Sequence, residues 1–135
     1  MIHKNKRAIL LRLLVCVAAA LDIGEDQSTI HITVWNDLLP GRKFIIHCKS
    51  KDDDLGAITV PQSLSYTFSF KPNIIGTTLF FCGVYTDYGH GSFDIFRYSR
   101  DAPRCYKCRW SVRENGVYGY KDDQNMLDLF FEWTR

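Results

Sequence analysis

Leu64-Ser65-Tyr66-Thr67-Phe68-Ser69-Phe70 is the stretch on which the reading of the fold turns. Leu64, Tyr66, Phe68 and Phe70 alternate with Ser65, Thr67 and Ser69, so one side of an extended chain is wholly apolar and the other wholly hydroxyl. That pattern is a half-buried β-strand. Working outward, Ile30, Ile32 and Val34 alternate with His31, Thr33 and Trp35, and Phe44, Ile46 and Cys48 with Ile45, His47 and Lys49. Thr77 to Val84 is a β-branched and aromatic run of the kind expected in a fully covered strand, and Phe93 to Tyr98 is a further candidate. Tyr106, Cys108, Trp110 and Val112 alternate again, Asn115-Gly116 is a hairpin signal, Val117 to Tyr120 returns, and Leu127, Leu129, Phe131 and Trp133 close the chain. No segment shows a 3.6-residue period of helical length. Residues 37–41, 50–57, 71–76, 85–91 and 99–104 carry the Gly, Pro, Asn or Asp that turns require and read as loops. Seven or eight short strands joined this way predict an all-β chain folded as an antiparallel sandwich or barrel.

The chain has 135 residues, 46% of them apolar and 24% charged, which fits one compact domain. It contains no internal repeat, no Gly-rich phosphate loop leading into a helix and no Gly-x-Ser-x-Gly elbow, so repeat arrays and two large enzyme classes drop out.

Residues 1–20 read as a secretory signal peptide rather than as part of the fold. His3, Lys4, Lys6 and Arg7 form a basic end, Leu13 to Ala20 an apolar run, and Ala18 and Ala20 the small side chains accepted before a cut at Leu21. The run is about half the ~20 residues of a bilayer-spanning helix, so no membrane insertion is expected once it is removed. Four of the 17 basic residues lie in this segment and all 15 acidic ones follow it. Residues 21–135 therefore hold 13 basic against 15 acidic residues, and the precursor's +2 becomes −2. A nucleic-acid partner is not indicated.

Cys16 leaves with the signal, and Cys48, Cys82, Cys105 and Cys108 remain, an even number in an exported domain. Two structural disulfides are expected, with three pairings possible. A zinc site would need a second close pair beside Cys105 and Cys108, but Cys48 and Cys82 are 34 residues apart.

Four pieces stand in order: Val34-Trp35-Asn36-Asp37-Leu38, then His47 to Gly56, then Leu79-Phe80-Phe81-Cys82, then Arg100-Asp101 running into Cys105-x-x-Cys108-x-Trp110. In these the chain resembles the plant self-incompatibility protein S1 family, the S-protein homologues, over nearly all of residues 29–133. The resemblance implies a small secreted β-sandwich braced by two disulfides and acting outside the cell as a protein ligand. Founding members are pistil determinants recognised by a pollen membrane receptor. The chain departs from the family just after Cys82, where a Trp is common and Tyr85 and Tyr88 stand instead. It also has no Asn-x-Ser/Thr acceptor for the N-glycan of some members.

His31, His47 and His90 could serve a ribonuclease-like catalytic pair, but the first two fall on outward strand faces and the third between loop glycines. No catalytic residue, metal or cofactor is expected. Asp52, Asp53 and Asp54 lack the alternating spacing of a calcium loop; three like charges instead resist burial and keep the loop extended and available. Arg97, Arg100, Arg104, Lys107, Arg109 and Arg113 form the one basic run, which reads first as an ordinary solvated edge and second as a surface complementary to an acidic receptor loop, ahead of a nucleic-acid site. The expected function is that of a monomeric, extracellular, non-enzymatic ligand of a cell-surface protein receptor. Its binding loops would be an acidic one with Lys51, Asp52, Asp53 and Asp54 and a basic one with Arg100, Asp101 and Arg104. The alternative is a cell-wall carbohydrate-binding module or small hydrolase, with Trp35, Tyr85 and Tyr88 as sugar-stacking aromatics.

Overall fold

The computed structural model describes residues 28–121 and 126–135. The expected signal segment, its cleavage point and Cys16 lie outside the described residues. Among the described residues nine strands build two sheets: β1 (Ile30–Asn36), β2 (Phe44–Lys49), β3 (Asp54–Val60), β4 (Ser65–Phe70), β5 (Leu79–Thr86), β6 (Gly89–Arg97), β7 (Lys107–Arg113), β8 (Gly116–Tyr120) and β9 (Leu127–Glu132). One helical turn, α1 (Tyr98–Asp101), sits between β6 and β7. The five-stranded sheet has the order β4-β1-β7-β8-β9 and the four-stranded sheet β3-β2-β5-β6.

Alternation is what lets the sheets pack. Tyr66, Phe68 and Phe70 stand opposite Val34, Ile32 and Ile30 of β1, which in turn pairs with Cys108, Trp110 and Val112 along β7. The facing sheet contributes Phe44, Ile46, Cys48, Phe80, Cys82, Val84, Phe93 and Ile95 to the same buried cluster. Aromatic rings bridge the layers: Phe70 meets Phe80 at 4.5 Å and Phe96 at 5.1 Å, and Phe93 meets Trp110 at 5.3 Å. At one margin, mutual backbone hydrogen bonds between His90 and Thr134, 2.9 and 2.7 Å, tie the start of β6 to the chain end.

The sandwich thus agrees with the expectation, with three refinements. The β1–β7 pair is parallel, so the five-stranded sheet is mixed rather than purely antiparallel. A ninth strand, β3, begins inside the stretch read as a loop and lies at a sheet edge, where its alternation is blurred by solvent on both sides and by a register shift between His47 and Lys49. The run from Thr77 is not fully covered, since Leu79 and Phe81 are about two-fifths exposed on the outer face.

The disulfides join Cys48 to Cys82 and Cys105 to Cys108. The first links residues directly opposite each other on β2 and β5. By loop length alone it is worth about 4 kcal/mol, against about 2 kcal/mol for the short Cys105–Cys108 loop.

Candidate functional site

Strand direction places the 50–53, 71–78 and 98–106 connections at one end of the sandwich and the 37–43, 61–64, 87–88 and 114–115 connections at the other. The first end therefore gathers both charged segments expected to bind a partner.

The 50–53 connection is a tight turn rather than an extended loop. The Ser50 N–H donates to the Asp53 carbonyl at 2.8 Å, and the Asp53 N–H donates to Ser50 Oγ at 3.1 Å. Lys51, Asp52 and Asp53 are exposed at its tip. Asp54 has another role. It opens β3, and its Oδ1 lies 2.6 Å from His47 Nε2 while accepting the Gly56 N–H at 2.9 Å. Those bonds, the one with His47 foremost, hold the Asp54 carboxyl below its ordinary range.

The 98–106 segment corrects the second half of the expected site. Asp101 has no exposed surface. Its carboxylate accepts hydrogen bonds from the Arg97 N–H at 2.9 Å, from Arg100 Nε and Nη2 at 2.9 and 2.7 Å, and from Arg104 Nη1 at 2.9 Å. Arg104 also grips Asp128 with Nε and Nη2, both at 2.7 Å, and donates to the Tyr120 carbonyl at 2.8 Å. Burial works against the Arg104 charge, but its bonds to Asp128 and the field of Asp101 outweigh it and hold the guanidinium more firmly protonated. Both guanidinium groups lie beside Trp110, 5.7 and 5.9 Å from its ring centre. Gly119 makes room for this arrangement, because a Cβ there would come within 2.9 Å of the indole and 3.0 Å of Arg104 Nη2. Arg100, Asp101 and Arg104 are an internal clamp, not a docking loop: buried charge is tolerated only when paired, and each of these finds its partners inside the fold.

The 71–78 loop holds residues that sequence reasoning passed over. Ile74 is fully exposed and Ile75 three-quarters exposed. They are presented on a fixed backbone: Asn73 Oδ1 accepts the Thr77 N–H at 3.0 Å, the Asn73 N–H donates to Thr78 Oγ1 at 2.8 Å, and the Asn73 amide donates to Thr77 Oγ1 at 3.0 Å. Gly76 turns the chain with φ +73 against the Tyr98 ring, where a side chain would be both strained and crowded. An Asn-Ile-Ile-Gly run inside a turn was the available signal. Between this loop and the acidic turn runs a groove of about 660 Å³ with Ile75, Leu79 and Phe81 among its walls.

The residues considered for catalysis and sugar stacking are dispersed. His31 and Trp35 lie on the outer face of the five-stranded sheet, His47, Tyr85 and His90 on that of the four-stranded sheet, with β5 between His47 and His90. Tyr88 packs against the core. Trp35, Tyr85 and Tyr88 do not make one platform. His90 is a strand residue rather than a loop one, and stacks on Tyr85 at 6.1 Å.

With this geometry established, comparison with known proteins identifies the lineage. The plant self-incompatibility protein S1 family matches residues 31–133. The chain belongs to that family. It is 36% identical to S-protein homolog 24 of Arabidopsis thaliana over 130 residues, covering 90% of this chain and 83% of the relative, and 38% identical to S-protein homolog 6 of the same plant over 99 residues, covering 73% and 70%. A solved structure of self-incompatibility protein homologues, described as small, highly stable, secreted plant proteins, superposes with a TM-score of 0.62 at 20% identity, covering 80% of this chain and 96% of that one. The S-protein homologue fold is thus shared beyond the reach of close sequence identity.

Proposed function

We propose that this S-protein homologue is a secreted, non-enzymatic ligand that acts in cell-cell recognition or signalling by docking the loop end of its sandwich on a cell-surface protein receptor. The observation that carries the reading is the gathering of Lys51, Asp52, Asp53, Ile74 and Ile75 as exposed side chains on hydrogen-bonded backbone at one end. Side chains held out on a fixed backbone lose little entropy on docking, and the neighbouring Cys48–Cys82 bond stiffens their base. Two disulfides suit an oxidising compartment, and the solved homologues are described as secreted. Family membership favours a recognition role over an enzymatic one.

The test is saturation binding of the fluorescently labelled, oxidised 21–135 chain to intact cells of the source organism. Saturable binding that mild protease treatment of the cells abolishes supports a protein receptor. Binding that rises linearly with dose, or that survives protease, overturns it.

A further inference from the structure

The two disulfides stand in unlike surroundings. Cys48 and Cys82 have no exposed surface and face each other across β2 and β5, in the core between the sheets. Cys105 and Cys108 sit where the chain passes from the helical turn α1 into β7. Cys105 is 5% exposed against 1% for Cys108, and it lines a cavity of about 550 Å³ together with Phe96, Tyr98, Pro103 and Ile74. Ile74 is fully exposed, so that cavity opens to water. Its volume falls within the ~300 to 1,000 Å³ of small-molecule sites and admits a thiol reagent.

The Cys105–Cys108 bond is also the less needed of the two. Its cysteines are three residues apart against 34 for the other pair, so closing this loop removes little freedom from the unfolded chain. On the Cys105 side the chain is already fastened without it. The Cys105 and Arg104 N–H groups both donate to the Asp101 carbonyl at 2.9 Å, the Asp101 carboxylate takes the donors of the clamp, and Arg104 grips Asp128. On the other side Cys108 is held in β7, opposite Ile32 of β1. Opening the bond therefore leaves both ends in place. Arg104 Nη1, which also serves Asp101, lies 3.7 Å from Cys105 Sγ, and a guanidinium there favours the thiolate of Cys105.

We infer that Cys105–Cys108 is a thiol–disulfide exchange site that opens and recloses in the folded protein, with a small external dithiol as its reagent. One thiolate of the dithiol attacks Cys105 Sγ from the cavity. The Cys105–Cys108 bond breaks, and its electron pair leaves on Cys108 Sγ, which takes a proton from water. The second thiol of the reagent, deprotonated in turn, attacks the reagent sulfur now joined to Cys105. That step closes the reagent into a cyclic disulfide and expels Cys105 as the thiolate beside Arg104, and a sulfur whose anion is stabilised leaves faster. The protein gains two electrons and, once Cys105 is protonated, two protons; the dithiol loses the same. The site does not depend on the receptor reading.

The experiment treats the oxidised 21–135 chain with dithiothreitol at about pH 8, where thiolate is plentiful, in a series of urea concentrations below the unfolding transition. Thiols are blocked at intervals with N-ethylmaleimide and mapped by peptide mass spectrometry, while circular dichroism follows the fold. Cys105 and Cys108 are expected to be blocked together, at least about tenfold faster than Cys48 and Cys82, with the spectrum unchanged. Their rate is flat in urea, because attack goes through the cavity of the folded protein and not through global unfolding. Added oxidised glutathione then restores the bond. Blocking of all four cysteines at one rate, earlier opening of Cys48–Cys82, a rate that climbs with urea as the fold opens, or no reaction short of unfolding overturns the inference.

Discussion

Two charged segments leave the same end of this sandwich and meet opposite fates. The 50–53 turn holds Lys51, Asp52 and Asp53 in water, while the 98–104 segment folds Arg100, Asp101 and Arg104 inward around Trp110. Both are short and rich in charge. The difference lies in what stands beside them: the acidic turn closes a hairpin over solvent, whereas Asp101 sits where four N–H donors, one from the backbone and three from two guanidinium groups, converge. Charge in a loop marks a partner surface only when the fold does not use that charge itself.

The sharpest way to break the comparison is to remove the central carboxylate. Asp101→Asn strands Arg100 and Arg104 against Trp110 and is expected to cost about 3 to 5 kcal/mol, read as a drop in the urea midpoint with unchanged slope. A loss below about 1 kcal/mol would mean that the clamp is incidental. Opening the neighbouring loop with Cys105→Ser and Cys108→Ser is expected to cost about 2 kcal/mol on the same assay, less than Asp101→Asn although a covalent bond is lost.

Acid sharpens the contrast further. Arg104, chiefly through its direct hydrogen bonds, holds the Asp128 carboxyl below its ordinary range. The stability this supplies is whole above the unfolded carboxyl value near 4 and fades as pH falls through the lower folded value. Thermal melts should therefore lose midpoint steeply on acidification below about pH 4, and Asp128→Asn should flatten part of that slope. Smallest of all on stability, Asp52→Lys with Asp53→Lys is expected to shift unfolding by no more than about 0.5 kcal/mol, since both side chains are exposed.

Much of this architecture was legible from residue order. Alternation at Tyr66 to Phe70, at Ile30 to Val34 and at Cys108 to Val112 reports burial on one side, and burial is what makes two sheets pack, whereas Leu64, the first apolar residue of the same pattern, precedes the strand and stays exposed. Strand β3 was not legible because an edge strand wetted on both sides has little reason to alternate. The parallel β1–β7 pair was hidden too, since local pattern carries no information on the direction of a neighbour about 75 residues away. At the site, Lys51 to Asp53 could be read as exposed from their charge. Asp101 could not be read as buried, because its burial depends on guanidinium groups brought round by the helical turn at Tyr98–Asp101. Ile74 and Ile75 were passed over for the converse reason: apolar residues in a turn signal recognition only once the structure shows that nothing covers them.

Competition binding tests the division between a displayed end and a buried clamp directly. Labelled wild-type 21–135 bound to intact source cells is displaced by unlabelled Asp52→Lys/Asp53→Lys/Ile75→Ser protein or by unlabelled Arg42→Ser protein, which carries its change in an exposed pair with Asp87 at the opposite end. The first competitor is expected to be at least about tenfold weaker than wild type and the second equal to it, a gap of about 1.4 kcal/mol. Equal competition by all three proteins would contradict it.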